Sequence, residues 1–70
     1  MNATVVEFER LQSLALPLRI ENLLRGDGVW FIYELCERSE SDLRRMRGMG
    51  STSIQSIRDA LSKRGLTLAD

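Results

Sequence analysis

Ser39-Glu40-Ser41-Asp42-Leu43-Arg44-Arg45-Met46-Arg47, then Gly48-Met49-Gly50, then Ser51-Thr52-Ser53-Ile54-Gln55-Ser56-Ile57-Arg58-Asp59-Ala60-Leu61, reads as a basic helical segment, a two-glycine turn and an amphipathic helix. Glycines free to take positive φ let so short a turn fold the two helices back on each other. The turn also leaves backbone N–H groups uncovered at the start of the second helix. Unpaired amides and the positive end of the helix dipole together attract a phosphate. The pattern is that of a helix-hairpin-helix element, which usually holds DNA backbone without reading sequence. Its candidate contacts are Gly50, Ser51, Thr52 and Ser53. Ser39 with Asp42 three residues on resembles a capping box, with Asp in place of Glu. Leu43 and Met46 are expected to face the core. Ser51 or Thr52 is expected to cap the last helix, and Ile54, Ile57 and Leu61 form its buried stripe. Gly65 should stop it in a left-handed cap, with Leu66 folding back onto Leu61.

Upstream, Leu16-Pro17 suits a helix start, because proline at the first helical position loses no needed N–H. Ile20, Leu23 and Leu24 follow at i, i+3 and i+4 and make one apolar stripe, and Gly26-Asp27-Gly28 ends that helix. Val29 to Cys36 is strongly apolar and short. It reads as a helix of about two turns starting near Phe31, with a strand as the competing reading on its aromatic and β-branched content. The first fifteen residues fit neither period cleanly: Phe8, Leu11 and Leu14-Ala15 permit an extra helix, and Thr4 to Phe8 an extended arm. No second strand pattern is available to build a sheet. The expected fold is all-α, a compact bundle of four to five short helices over residues 16–70, preceded by an arm or extra helix over 1–15.

Composition limits the chemistry. Seventy residues make one domain near the lower size limit for a self-sufficient core. No apolar run approaches the roughly 20 residues of a membrane span, and no secretory signal is visible, so the cytoplasm is the expected compartment. With no histidine and one cysteine, Cys36, the sequence offers no zinc site and no internal disulfide; no cofactor is expected. Cys36 reads as a small buried hydrophobe. No nucleophile–base pair or cleft-placed carboxylate pair is present, so no enzyme is expected. Net charge is zero, which argues against strong non-specific nucleic-acid binding. Nine of the ten basic residues are nevertheless arginine, the side chain that forks onto phosphates and fits narrow grooves. Arg44, Arg45 and Arg47 cluster beside the hairpin, where a solvated helix face is the competing reading.

From Leu16 to Leu68 the sequence resembles the C-terminal domain of the bacterial RNA polymerase alpha subunit. The resemblance rests on Arg19-Ile20-Glu21-Asn22-Leu23-Leu24-Arg25, Gly28-Val29, Ser39 to Met46, Met49-Gly50 and Lys63-Arg64-Gly65-Leu66. It implies that Arg19 enters the minor groove of A·T-rich DNA and that Asn22 supports it. The residues agree: on a helix starting near Pro17, Arg19, Asn22 and Arg25 share one side, away from Ile20, Leu23 and Leu24. A narrow groove concentrates negative potential, so arginine there needs no base code. On that side the three side chains should be removable with little loss of stability.

The sequence also departs from the family. Where the alpha domain commonly has lysines after the hairpin glycine, Ser51 and Thr52 stand here, which weakens two phosphate contacts; Arg45 matches a basic family position. Glu21, inside the stripe, opposes phosphate. The alpha subunit carries an assembly domain and a linker ahead of this module, and Met1 to Pro17 does not look like that linker. The expectation is a stand-alone alpha-like protein of the kind a phage or mobile element encodes. Two functions follow: a transcription module binding double-stranded DNA weakly, or an interaction module that has kept the fold and contacts RNA polymerase, a transcription regulator or a second copy as a homodimer. Trp30, Phe31 and Tyr33 are either core residues or the anchors of such an interface.

Overall fold

A computed structural model describes residues 9–69. The arm considered for Thr4 to Phe8 lies outside them. Among the described residues a 3-10 turn at Leu11–Leu14 comes first, followed by four α-helices: α1 over Leu18–Gly26, α2 over Ile32–Cys36, α3 over Glu40–Arg44 and α4 over Ser51–Ser62. Among the described residues extended pairing is confined to two isolated bridges, Arg10 with Phe31 and Ser39 with Ala69. The all-α bundle expected from the sequence is therefore the fold.

The apolar stripes meet in one core. Leu11, Leu24, Leu35, Leu43, Ile57, Leu61 and Val29 are completely inaccessible, with Ile20, Ile32, Ile54, Met49 and Leu68 nearly so. Leu23, Met46, Cys36 and Leu66 pack around its margin. Burial pushes the Cys36 thiol pKa up, which keeps it in the unreactive protonated form.

Local chemistry sets the helix ends. Pro17 sits just before α1 rather than on its first position; its carbonyl accepts from the N–H groups of Ile20 and Glu21, both at 3.0 Å. At α2 the apolar run becomes helical because the Glu34 carboxylate accepts from the amides of Trp30 and Phe31, at 2.8 and 3.0 Å. That closes the start of a helix that lacks a serine or aspartate cap. Ser39 and Asp42 form the expected reciprocal box at α3: Ser39 N–H donates to Asp42 Oδ2 at 3.0 Å and Asp42 N–H to Ser39 Oγ at 3.1 Å. The last helix differs from expectation. Its N-cap is Gly50, in extended conformation with no side-chain bond, so neither Ser51 nor Thr52 is the cap; both lie in the first turn. The backbone is already turned by the hairpin, which lets α4 begin one residue after Gly50. At the other end Gly65 takes φ +73° and Leu66 N–H donates to Leu61 O at 2.9 Å, the expected left-handed stop.

Trp30 and Tyr33 lie on the surface, at 50% and 38% exposure, while Phe31 is half-buried against Tyr33 with ring centroids 5.9 Å apart. The core reading fails for Trp30 and Tyr33 because the run starts helical only at Ile32. In that register Ile32 and Leu35 turn inward, and Trp30 stays ahead of the helix, before the extended N-cap Phe31.

The α3–α4 pair is also held by charge. Glu40 accepts from Arg44 at 2.8 Å and from Arg58 of α4 at 2.5 Å. Those hydrogen bonds, Arg58 first and then Arg44, hold the Glu40 carboxyl below its usual range. Hydrogen bonds from the Ser39 amide and then its hydroxyl do the same for Asp42. A carboxyl with a lowered folded-state pKa contributes stability above its unfolded pKa and loses it as pH falls through the folded one. Thermal melts should therefore be flat above about pH 5 and drop as pH falls through about 4 and below. A Glu40→Gln/Asp42→Asn variant should lose part of that drop in a melt series read by circular dichroism. An unchanged acid slope would show that these two contacts are not the acid-sensitive ones.

Candidate nucleic-acid interface

The hairpin turn runs from Arg45 to Gly50. Met49 plugs it into the core, and Gly48 adopts φ +88°. A Cβ at Gly48 would stand 3.6 Å from the Arg19 guanidinium and 3.7 Å from Leu23, ordinary contact distances. Backbone conformation, not crowding, reserves this position for glycine.

Arg19 links α1 to the hairpin. Its Nη1 donates to Gly48 O at 3.0 Å and its Nη2 donates to Ser53 Oγ, also at 3.0 Å. The fork thus spans from the turn to the first turn of α4. Ser53 is buried while Gly50, Ser51 and Thr52 are exposed. The N–H groups of Ser51, Thr52 and Ser53 have no acceptor among the described residues, as expected for the start of a helix. Ser51 Oγ accepts from Arg44 Nη1 at 3.4 Å. A phosphate approaching these amides therefore meets the positive end of a twelve-residue helix and two exposed hydroxyls, with Arg44 bonded to Ser51 Oγ and Arg19 to Ser53 Oγ in the same helical turn.

The rest of the stripe is not continuous. Asn22 is exposed, and its side chain has no partner among the described residues. Arg25 does not extend the Arg19–Asn22 line: its Nη2 is paired with the Glu21 carboxylate one turn back on α1. Glu21 is buried, at 7% exposure, although it lies in a segment expected to face solvent. Arg45 is 80% exposed in its side chain and only loosely paired to Asp42, at 3.7 Å. It lines an open groove with Asp27, Arg38 and Met46, and no hydrogen bond or ion pair joins it to Arg19.

The structure thus brings Arg19, Gly50, Ser51, Thr52 and Ser53 together, leaves Asn22 beside them on α1, and sets Arg25 and Arg45 in other contacts. Sequence reasoning missed two things. The Arg19 lock on Gly48 and Ser53 spans 29 and 34 residues, and no local signal announces it. The Glu21–Arg25 pair did have a signal, the i, i+4 spacing of opposite charges on a helix. Among the described residues no cluster of His, Cys, Asp and Glu could hold a metal ion, and no helix is long and apolar enough to cross a membrane.

The family described as the C terminal domain of the bacterial RNA polymerase alpha chain matches residues 5–63. The protein is 38% identical over 60 residues to the DNA-directed RNA polymerase subunit alpha of Cutibacterium acnes, an alignment over 86% of its own length and 18% of that relative. It is 37% identical over 60 residues to the same subunit of Acidothermus cellulolyticus, again over 86% of its own length and 18% of the relative. It thus spans less than a fifth of the length of these relatives.

Proposed function

We propose that this protein, which belongs to the family of bacterial RNA polymerase alpha C-terminal domains, is a DNA-binding module of transcription that holds the minor groove and phosphates of A·T-rich duplex and acts by binding, without catalysis. The observation that supports this reading is the Arg19 fork, whose guanidinium is bonded to Gly48 O and Ser53 Oγ and so links α1 to the hairpin and the first turn of α4. A groove-entering arginine and a phosphate-binding helix start can then engage one duplex together. With net charge zero and two hydroxyls at the hairpin, binding is weak, on the order of micromolar Kd or weaker at physiological salt. The module works in the cytoplasm, beside RNA polymerase and its regulators. An amide-shift titration with a short A·T-rich duplex at low salt tests it. Shifts at Arg19, Asn22 and Gly50 to Ser53 are expected; their absence at saturating duplex would overturn the reading.

A second reading is favoured by the exposed Leu18, Trp30 and Tyr33. Large apolar side chains on a small domain are frequent interface anchors. In this reading the domain contacts a polymerase subunit, a regulator or a second copy, and a duplex titration moves none of the hairpin amides.

Charge at the hairpin separates the two. Ser51→Lys with Thr52→Lys places cations on exposed first-turn positions of α4. Since neither residue caps the helix, no cap is lost; the cost is limited to a mild clash with the dipole and with Arg44. Duplex affinity should rise, and the log–log salt slope should steepen by up to about two, roughly 0.9 per added phosphate contact. A folded double-lysine variant with unchanged affinity would move the weight to the interaction module.

A further inference from the structure

Glu21 is the feature of this face that DNA binding does not explain. Its exposure is 7%, and it sits between Ile20 at 4% and the core toward Leu24 at 0%. A buried carboxylate must be paired and hydrogen-bonded. Among the described residues the donor to it is Arg25 Nη2. Withdrawing that guanidinium would leave an uncompensated buried charge, a strongly unfavourable state. A pair this sheltered is also screened little by salt. Arg25 therefore has its position dictated from the core side, about 120° around α1 from Arg19 at about 100° per residue, while Arg19 is fixed from the hairpin side. A phosphate reaching Arg25 must compete with a carboxylate already in contact.

We propose that Glu21 sets the DNA affinity of this module by holding Arg25 as a neutralised cation, so that the face presents Arg19 and Asn22 alone. Glu21 is a positioning residue: it acts through Arg25 and touches no DNA. The inference rests on the DNA-binding reading above, and the test separates the two. Substituting Glu21 without an anionic acceptor frees the Arg25 guanidinium, which reaches toward the phosphates beside Asn22.

The experiment is fluorescence anisotropy with a labelled A·T-rich duplex over a salt series, using wild type, Glu21→Gln, Glu21→Gln/Arg25→Gln and Arg19→Ala. Each variant is first confirmed folded by its melting curve. Glu21→Met, which fills a similar volume with no oxygen acceptor, carries the test should Glu21→Gln fail to fold. The expected result is about three- to tenfold tighter binding by Glu21→Gln, with a log–log salt slope steeper by about 0.9 for the one added phosphate contact. The double variant should return to the wild-type slope. A merely structural role for Glu21 would not move the slope, nor make the gain depend on Arg25. Wild-type affinity and slope in Glu21→Gln, alongside lost binding in Arg19→Ala, would overturn the inference and leave the DNA reading standing. A gain that persists in the double variant would assign it to the lost negative charge alone and overturn the role of Arg25. No duplex binding by any variant would overturn both.

Discussion

Ile57→Ala should cost roughly 2–5 kcal/mol, about half of the stability that a domain of this length has. The magnitude follows from position and size together. Ile57 is completely inaccessible at the middle of α4, between Ile54 and Leu61 on the stripe that closes the core. Truncation removes three buried carbons and leaves a cavity in a core whose other members, Leu11, Leu24 and Leu43 among them, are equally inaccessible. A folded domain of this length has only about 4–10 kcal/mol of total stability. The same loss that a very stable protein barely registers is here about half of the whole and should bring the urea midpoint far down. Ile57→Val, deleting one methyl, should cost about 0.5–1.5 kcal/mol and remain folded. Urea titrations followed by circular dichroism give both numbers. A loss below about 1 kcal/mol for the alanine variant would mean that α4 does not close the core as described.

The contrast between what the sequence disclosed and what it concealed has a physical pattern. The α3 box of Ser39 and Asp42, the Ile54–Ile57–Leu61 stripe and the Gly65 stop were legible because each depends on residues within one or two helical turns. The family resemblance was legible for a related reason, since it rides on the order of such local elements, and the match over residues 5–63 bears it out. The start of α4 misled because Ser51 and Thr52 are good capping residues; the backbone direction delivered by the hairpin, a tertiary property, made Gly50 the cap instead. Trp30 and Tyr33 stayed ambiguous between core and surface because aromaticity reports a preference for burial and not the helix register that grants it. The candidate site divides in the same way. Its amides and hydroxyls at Gly50 to Ser53 follow from the turn chemistry. Which arginine stands beside them is decided by contacts across the fold, with Arg19 drawn to Gly48 and Ser53 and Arg25 to Glu21.

That division changes what Arg19→Ala should do. A residue on a free solvent face would lose DNA and keep its stability. Arg19 instead donates to Gly48 O and Ser53 Oγ, both at 3.0 Å, so its loss should also lower stability, by about 1 kcal/mol once exposure of the Gly48 bond is discounted. The larger effect should be on duplex binding: about 1–3 kcal/mol, or roughly fivefold to more than a hundredfold. Asn22→Ala should follow with a smaller loss. Arg25→Ala should affect stability more than affinity, because its cation is already held by a buried carboxylate. Arg19→Lys separates the two roles of Arg19. It keeps the charge but cannot bridge two acceptors with a planar fork, so it should recover part of the phosphate attraction and little of the hairpin lock. Affinity is read at low salt and at a temperature where every variant is folded, with melting curves measured beside it. Equal duplex binding by wild type and Arg19→Ala would remove this arginine from the interface. An unchanged melting temperature would remove it from the lock as well, and the hairpin would then owe its geometry to Met49 and the positive φ of Gly48 alone.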